Sequence, residues 1–381
     1  MSFELRYPTE IIFGMNAVNQ VGKKACSYGS RIFLVTGRSA ARRSGMADKV
    51  IDLLQAAGAK EVYLYDRAEH DPSVDTVDRG AELAKDGRFE VAIGLGGGSA
   101  IDTAKTIACL VNNDGSAAEY QSGKEIKNPG IPFIALPTTA GTGAEITKNS
   151  VITDTKNKIK QSIRSNYMIA KVAIVDPILT VSMPPDVTAA SGMDALTQAI
   201  EVCVSLSANP IGDTLGLRSI ALISQNIVKA FDNGDDLVTR ENMALGSLLG
   251  AMAFANAGLG AVHALAHPIG AMFDVPHGVI CALLLPYVIE YNIPARTDKY
   301  AQIAEAMGVD TKGSDEGSAY KLISFIRDLL TRLKLPQQLR NVGIENKDIS
   351  AIARSTRGSS LSNNPREASE ESLEQILSAA L

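Results

Sequence analysis

Histidine and cysteine are both scarce, four of each in 381 residues. Cys26, Cys109, Cys203 and Cys281 stand far apart and form no Cys-x-x-Cys pair, which argues against a disulfide framework and against a cysteine-based zinc site. A reducing, cytoplasmic setting fits that usage. Positive charge is not in excess: 37 Lys and Arg face 42 Asp and Glu, a net charge of -5, so no basic field for nucleic acid exists. The opening residues, MSFELRYPTE, contain no apolar signal segment. There is no short-period repeat and no low-complexity linker. The stretch from Asn242 to Phe273 has no formal charge and is long enough to span a bilayer. It is rich in Gly and Ala and carries Asn256, His263 and His267, so a buried pair of helices is expected there instead of a membrane span.

The rarity of histidine makes its placement informative. His263, His267 and His277 fall within the segment GAVHALAHPIGAMFDVPHGV. Imidazoles in so apolar a setting are satisfied by hydrogen bonds or bound to a metal. A metal needs a further ligand, and Asp194 in SGMDALTQAIE is the best offer. His70, in AEHDPS, reads as a surface loop residue.

Two textures divide the chain. In the first half, β-rich runs at 31–37, 61–66, 91–96, 133–138 and 171–176 alternate with helical patterns such as MADKVIDLLQAAG and TVDRGAELAKDG. That rhythm implies a parallel sheet with helices on both faces, binding ligands beyond the carboxyl ends of its strands. After about Pro184 strand signals fade and long helical patterns follow, closing with EASEESLEQILSAAL and a cap at Ser369. The expected organisation is an α/β dinucleotide-binding domain over residues 1–183 and an all-helical domain over 184–381.

The run Gly94-Leu95-Gly96-Gly97-Gly98-Ser99 follows an apolar strand and enters a helix from Ala100 to Leu110. Its glycines let the backbone approach a ligand, and Ser99 is placed to cap a helix start that attracts phosphate. It is not the Gly-x-Gly-x-x-Gly fingerprint, and a tight strand-to-helix turn would look the same. Asp102, one turn in, either shapes the loop or accepts from a ribose hydroxyl. A second turn, Pro137-Thr138-Thr139-Ala140-Gly141-Thr142-Gly143, offers hydroxyls either to a nucleotide or to its own backbone.

Taken together, Phe13-Gly14, GGGSAIDTAK, PTTAGTG, the turn from Asp176 to Leu179, GMDALTQAIE, GAVHALAHPIG and PHGV resemble the iron-containing (group III) alcohol dehydrogenases across essentially the whole chain. The resemblance implies the dehydroquinate synthase-like fold of that family, a parallel-sheet nucleotide domain followed by a helical one. It implies reversible NAD(P)-linked oxidation of a short primary alcohol or diol to its aldehyde, with a divalent metal, Fe²⁺ or Zn²⁺. It places the cofactor loop on Gly96, Gly97, Gly98, Ser99 and Asp102, and adenine and ribose contacts on Thr138, Thr139, Thr142 and Thr147, with Lys160 near the cofactor and Leu179 flanking it. It places the metal on Asp194, His263 and His277, and His267 near the substrate and nicotinamide. Family members are commonly dimers or larger homo-oligomers. Glycerol dehydrogenases and dehydroquinate synthases share the glycine turn, but the DALT and PHG motifs favour the alcohol dehydrogenase branch.

One departure stands out. The family's DALTH pattern is DALTQ here, so Gln198 occupies the position of a histidine ligand. Asp194 and Gln198 are four apart and share a helical face. Gln198 could ligate through its carbonyl or hold a water, His267 could complete the set instead, or metal affinity could be reduced or lost. At the 2′ position, Gly37-Arg38-Ser39 carries no carboxylate and Arg42 and Arg43 follow, which favours NADP(H) over NAD(H). The expected mechanism polarises the substrate oxygen at the metal, passes hydride at nicotinamide C4 and relays the proton through His267. Two alternatives stay open: a metal-independent reductase resembling maleylacetate reductases, and a non-catalytic nucleotide-binding module.

Overall fold

The computed structural model describes residues 3–157 and 159–381. By contacts the chain divides into two compact units, Tyr7–Met183 and Pro184–Leu381, the second joined by the residues up to Arg6.

The first unit is built on strands β1 (Glu10–Phe13), β2 (Arg31–Gly37), β3 (Glu61–Ala68), β4 (Val91–Gly96), β5 (Phe133–Pro137), β6 (Asn149–Asp154), β7 (Ile159–Arg164) and β8 (Val172–Val175). Six of them form one parallel sheet in the order β3-β2-β4-β5-β8-β1, while β6 and β7 pair as an antiparallel hairpin. The central strands read as near-continuous apolar runs because both of their faces are covered. Alternation along β2 divides its side chains between two cores. Phe33 and Val35 join Val77, Ala81 and Ile107 on one face. Ile32 and Leu34 join Val21, Val50 and Leu54 on the other. The helices contributing to these two cores are α1 (Val21–Cys26), α2 (Ala40–Arg43), α3 (Met46–Ala56), α4 (Val74–Asp86), α5 (Gly98–Leu110) and α6 (Ala117–Gln121).

The strand order reverses between β2 and β4. At such a switch point the crossovers leave in opposite directions and open a crevice beyond the carboxyl ends. Gly37 and Gly96 end the two strands that flank it. The five strands expected from sequence are all present. The edge strand β1 and the β6–β7 hairpin had no clear signal: β7, IKQSIR, buries only Ile163.

The second unit contains no strand among its described residues. Its helices are α7 (Pro185–Val204), α8 (Pro210–Asp232), α9 (Leu237–Ala257), α10 (Ala261–Phe273), α11 (His277–Ala306), α12 (Asp315–Arg332), α13 (Ile349–Ser355), α14 (Ser359–Ser362) and α15 (Glu370–Ala379). Ser369 caps α15 by accepting from the Ser372 N–H, as expected. The uncharged stretch forms the end of α9 and all of α10, which meet at a bend of 100°. Helix α11 is long and apolar enough to cross a membrane, but 67% of its apolar window is buried against the rest of the protein.

Candidate functional site

In the helical unit, α7 presents Asp194, Gln198 and Glu201 at i, i+4 and i+7, hence on one face. All three are buried. Helix α10 presents His263 and His267 one turn apart, and α11 presents His277 and Cys281 one turn apart. Two glycines let these helices close on one another. A Cβ on Gly278 would lie 2.2 Å from the Ala190 carbonyl of α7, so only glycine allows the start of α11 to rest there. A Cβ on Gly260 would lie 2.9 Å from Glu201 Oε1, at the entry to α10.

The result is a compact donor set. One ligand atom each from Asp194, His263, His277 and Cys281 lies within 4.8 Å of all the others. His263 Nε2 is 3.2 Å and His277 Nε2 3.9 Å from Asp194 Oδ1, and Cys281 Sγ is 3.6 Å from His277 Nε2. A first-row divalent ion bound tetrahedrally separates its donors by about 3.4–3.8 Å, so these spacings fit one. Gln198 Oε1 is buried without a hydrogen-bond partner, although the Gln198 side chain bonds to Asp194. An orphaned carbonyl oxygen beside a carboxylate and two imidazoles is satisfied by a cation.

Glu201 orients the set. Its Oε2 pairs with His263 Nδ1 at 2.6 Å and its Oε1 accepts from the Val262 N–H at 2.7 Å. The second bond also satisfies a free donor at the start of α10. Carboxylate–histidine pairs of this kind fix the ring and leave Nε2 facing the ligand. Burial works to raise the Asp194 carboxyl, but His263 and His277 outweigh it and hold it below its ordinary value. Burial works against charge on His263, yet Cys281, Glu201 and Asp194 raise it well above the usual imidazole value. Cys281 is likewise disfavoured as an anion by burial but lowered by His277 and His263.

Cys281 corrects the sequence reading, which set cysteine aside for lack of a Cys-x-x-Cys pair. The useful signal was its spacing from His277, one helical turn. Glu201 was also missed, seven residues beyond Asp194 on the same face. His267 does not join the donor set; its ring centroid lies 5.7 Å from that of His277. His70 is on the surface, as expected, with 75% of its side chain exposed.

In the α/β unit the two sequence turns lie against each other. The Thr138 N–H donates to the Gly96 carbonyl at 2.9 Å. A Cβ on Gly97 would lie 3.2 Å from Thr139 Cγ2, and one on Gly98 would lie 2.9 Å from Thr142 Oγ1. Gly96 has φ +155°, a left-handed conformation that favours glycine. Lys105, on α5, ties that helix to the segment after the threonine turn: its buried ammonium donates to the carbonyls of Ala144, Thr147 and Asn149. Thr147 is itself buried.

One expectation changes here, and two others gain detail. Gly97, not Ser99, is the N-cap of α5, because Gly98 is already helical; the Ser99 hydroxyl donates to the His70 carbonyl. Asp102 shapes the loop: its Oδ2 accepts from the Val151 N–H at 2.9 Å and its Oδ1 is 3.5 Å from Lys105 Nζ. At the 2′ turn, Ser39 is exposed and Gly37 ends β2, but β3 and the residue after it bring carboxylates close. Arg42 pairs with Asp66 at 2.8 Å and Arg38 with Glu69 at 3.5 Å. Lys160, on β7, pairs with Asp71 at 2.8 Å. Leu179 lies in the core beneath the sheet, 2% exposed.

Two family models match the chain: iron-containing alcohol dehydrogenase over residues 8–177, and the C-terminal part of the Fe-containing alcohol dehydrogenase family over residues 188–381. The chain is 38% identical to a 1,3-propanediol dehydrogenase of Citrobacter freundii over 99% of its own length and 98% of that protein. It is 32% identical to an NAD-dependent methanol dehydrogenase of Bacillus methanolicus, covering 98% of each. The crystal structure of a 1,3-propanediol oxidoreductase superposes with a TM-score of 0.96 at 37% identity over the full length of both chains. With the donor set, the glycine turn and these likenesses in agreement, the chain belongs to the iron-containing alcohol dehydrogenase family and is a nicotinamide-dependent enzyme interconverting alcohols and aldehydes.

Proposed function

We propose that Asp194, His263 and His277 hold the divalent metal, iron or zinc, on which this dehydrogenase acts, with Gln198 at the rim of the same site. The observation that carries the reading is the convergence of these donors from three helices within 4.8 Å. The bound ion supplies Lewis acidity toward the substrate oxygen. The chain's own residues do the rest. Glu201 keeps the His263 ring turned so that Nε2 faces Asp194. Asp194 brings a buried negative charge to the ion. His267, one turn from His263 and half-buried, takes the hydroxyl proton during oxidation and returns it during reduction.

The nucleotide is held in the α/β unit, beyond the ends of β2 and β4. Backbone N–H groups of Gly97, Gly98 and Ser99 at the start of α5 receive a phosphate. Thr138, Thr139 and Thr142 line the adjoining turn, with Thr147 and Lys160 behind it and Leu179 beneath. Asp102 shapes this loop from within α5. NADP(H) is favoured over NAD(H) by the acid-free turn from Gly37 to Ser39. Arg38 and Arg42 are balanced by Glu69 and Asp66, so that preference is modest. Short primary alcohols, diols and their aldehydes are the substrate class, and the enzyme works as a cytoplasmic homodimer or larger homo-oligomer with no nucleic-acid or membrane partner.

The test is a panel of such alcohols and aldehydes, run with NADH, NADPH and their oxidised forms, with and without added Fe²⁺ or Zn²⁺. Turnover on a short diol or aldehyde that responds to metal supports the reading. Absence of turnover across the panel, with either nucleotide and either metal, contradicts it.

A further inference from the structure

We infer that the Cys281 thiolate supplies the strong fourth metal donor for which the Gln198 carbonyl is only a weak substitute, giving an Asp-His-His-Cys site that prefers zinc to iron. This rests on the reading of Asp194, His263 and His277 as metal ligands.

The helix-face geometry leads there. Gln198 stands one turn from Asp194, where the family pattern has an imidazole. An amide carbonyl is a weaker donor than imidazole for Fe²⁺ or Zn²⁺. Cys281 stands one turn from His277, and its sulfur is the fourth atom in the cluster within 4.8 Å. It is completely buried, 3.6 Å from His277 Nε2, while His277 itself remains partly exposed. The other buried cysteines differ: burial pushes Cys109 and Cys203 up to about 12 and neither stands near a histidine in the donor set. The buried, unpartnered Gln198 oxygen beside Asp194 is a second sign that a cation belongs at this point.

Exchange of imidazole for thiolate has chemical consequences. On binding, the thiol gives its proton to solvent, so the ion faces two anionic ligands, Asp194 and Cys281, in place of one. Thiolate is a soft ligand, and with two imidazoles it selects Zn²⁺ over Fe²⁺. Zinc can expand beyond four ligands, so a fourth protein donor would still leave the ion able to act on a substrate oxygen.

The experiment uses the full chain, stripped with chelator and reloaded with one equivalent of Co²⁺. A thiolate–cobalt charge-transfer band in the near ultraviolet is expected. Cys281→Ser should remove the band while thermal unfolding remains cooperative, and should weaken Zn²⁺ binding by at least about tenfold in competition with a chromophoric chelator. Gln198→His combined with Cys281→Ser should restore tight binding without the band, and should lower the ratio of zinc to iron affinity. Cobalt binding without the band, a band that survives in Cys281→Ser, or a double variant that binds no tighter than the single one overturns the cysteine assignment and leaves the three-residue metal reading standing. Failure of the wild-type chain to bind either Co²⁺ or Zn²⁺ overturns both.

Discussion

Glu201 and His263 are joined at 2.6 Å, and the same carboxylate closes the start of α10 through the Val262 N–H. One side chain thus sets both the entry of a helix and the tautomer of the histidine it carries. Replacing Glu201 by Gln keeps the size but exchanges an acceptor for an amide. Metal affinity should fall by about 10–100-fold while the protein stays folded. Competition for Zn²⁺ against a chromophoric chelator measures it, and unchanged affinity would remove Glu201 from the site.

His263→Ala and His277→Ala delete donors directly. Each should lose bound metal and most turnover, with an unfolding midpoint that still marks a cooperative transition. Metal analysis alongside steady-state rates provides the check. Full metal content and full rate in both variants would be incompatible with their role as ligands.

Gly98 allows the α5 start to lie against Thr142, 2.9 Å from where a Cβ would sit. Gly98→Ala should force the threonine turn outward and raise the KM for the dinucleotide by about tenfold, equivalent to ~1.4 kcal/mol. The alcohol KM should move much less. A variant with unaltered dinucleotide KM would separate this turn from cofactor binding.

The Lys160–Asp71 pair gives a pH dependence to stability. Burial works to raise the Asp71 carboxyl, but bonds from His70 and Lys160 outweigh it and hold it well below the usual carboxylate range. A lowered folded value means stability that is complete above the unfolded value, about 4, and is lost as pH falls toward the folded one. Asp71→Asn should therefore be less stable than the parent at neutral pH and converge with it in acid. Denaturant midpoints across that range test the sign. Divergence growing in acid would refute it.

Arg42–Asp66 and Arg38–Glu69 balance charge at the 2′ turn. The ratio of kcat/KM for NADPH over NADH should lie between one and about ten, less than ~1.4 kcal/mol of discrimination. Asp66→Asn frees Arg42 and should increase that ratio. A ratio below one in the parent would reverse the proposed preference.

Much of this was legible in the chain, for identifiable reasons. Strands β2 and β4 begin and end where the sequence suggested, because each is an apolar run closed by a glycine. The hairpin was not legible, since β7, IKQSIR, is largely polar and buries a single isoleucine. Asp194, His263 and His277 stood out because histidine is rare and their surroundings are uncharged. Cys281 did not, because it was measured against other cysteines and not against His277. Ser99 looked like a cap by residue type, but the helix had already begun at Gly98. The arginines at the 2′ turn looked unopposed because their partners, Asp66 and Glu69, come from the next strand and the residue after it. Pairing across a sheet is invisible to a local reading.

The most direct test is a single titration. The chelator-stripped protein is assayed for nicotinamide oxidation with a short aldehyde while Zn²⁺ or Fe²⁺ is returned in small steps. The expected result is negligible turnover without metal, rising linearly and saturating at one ion per chain. Full turnover in the metal-free protein would contradict a metal centre at Asp194, His263 and His277 and point to a metal-independent reductase on the same fold.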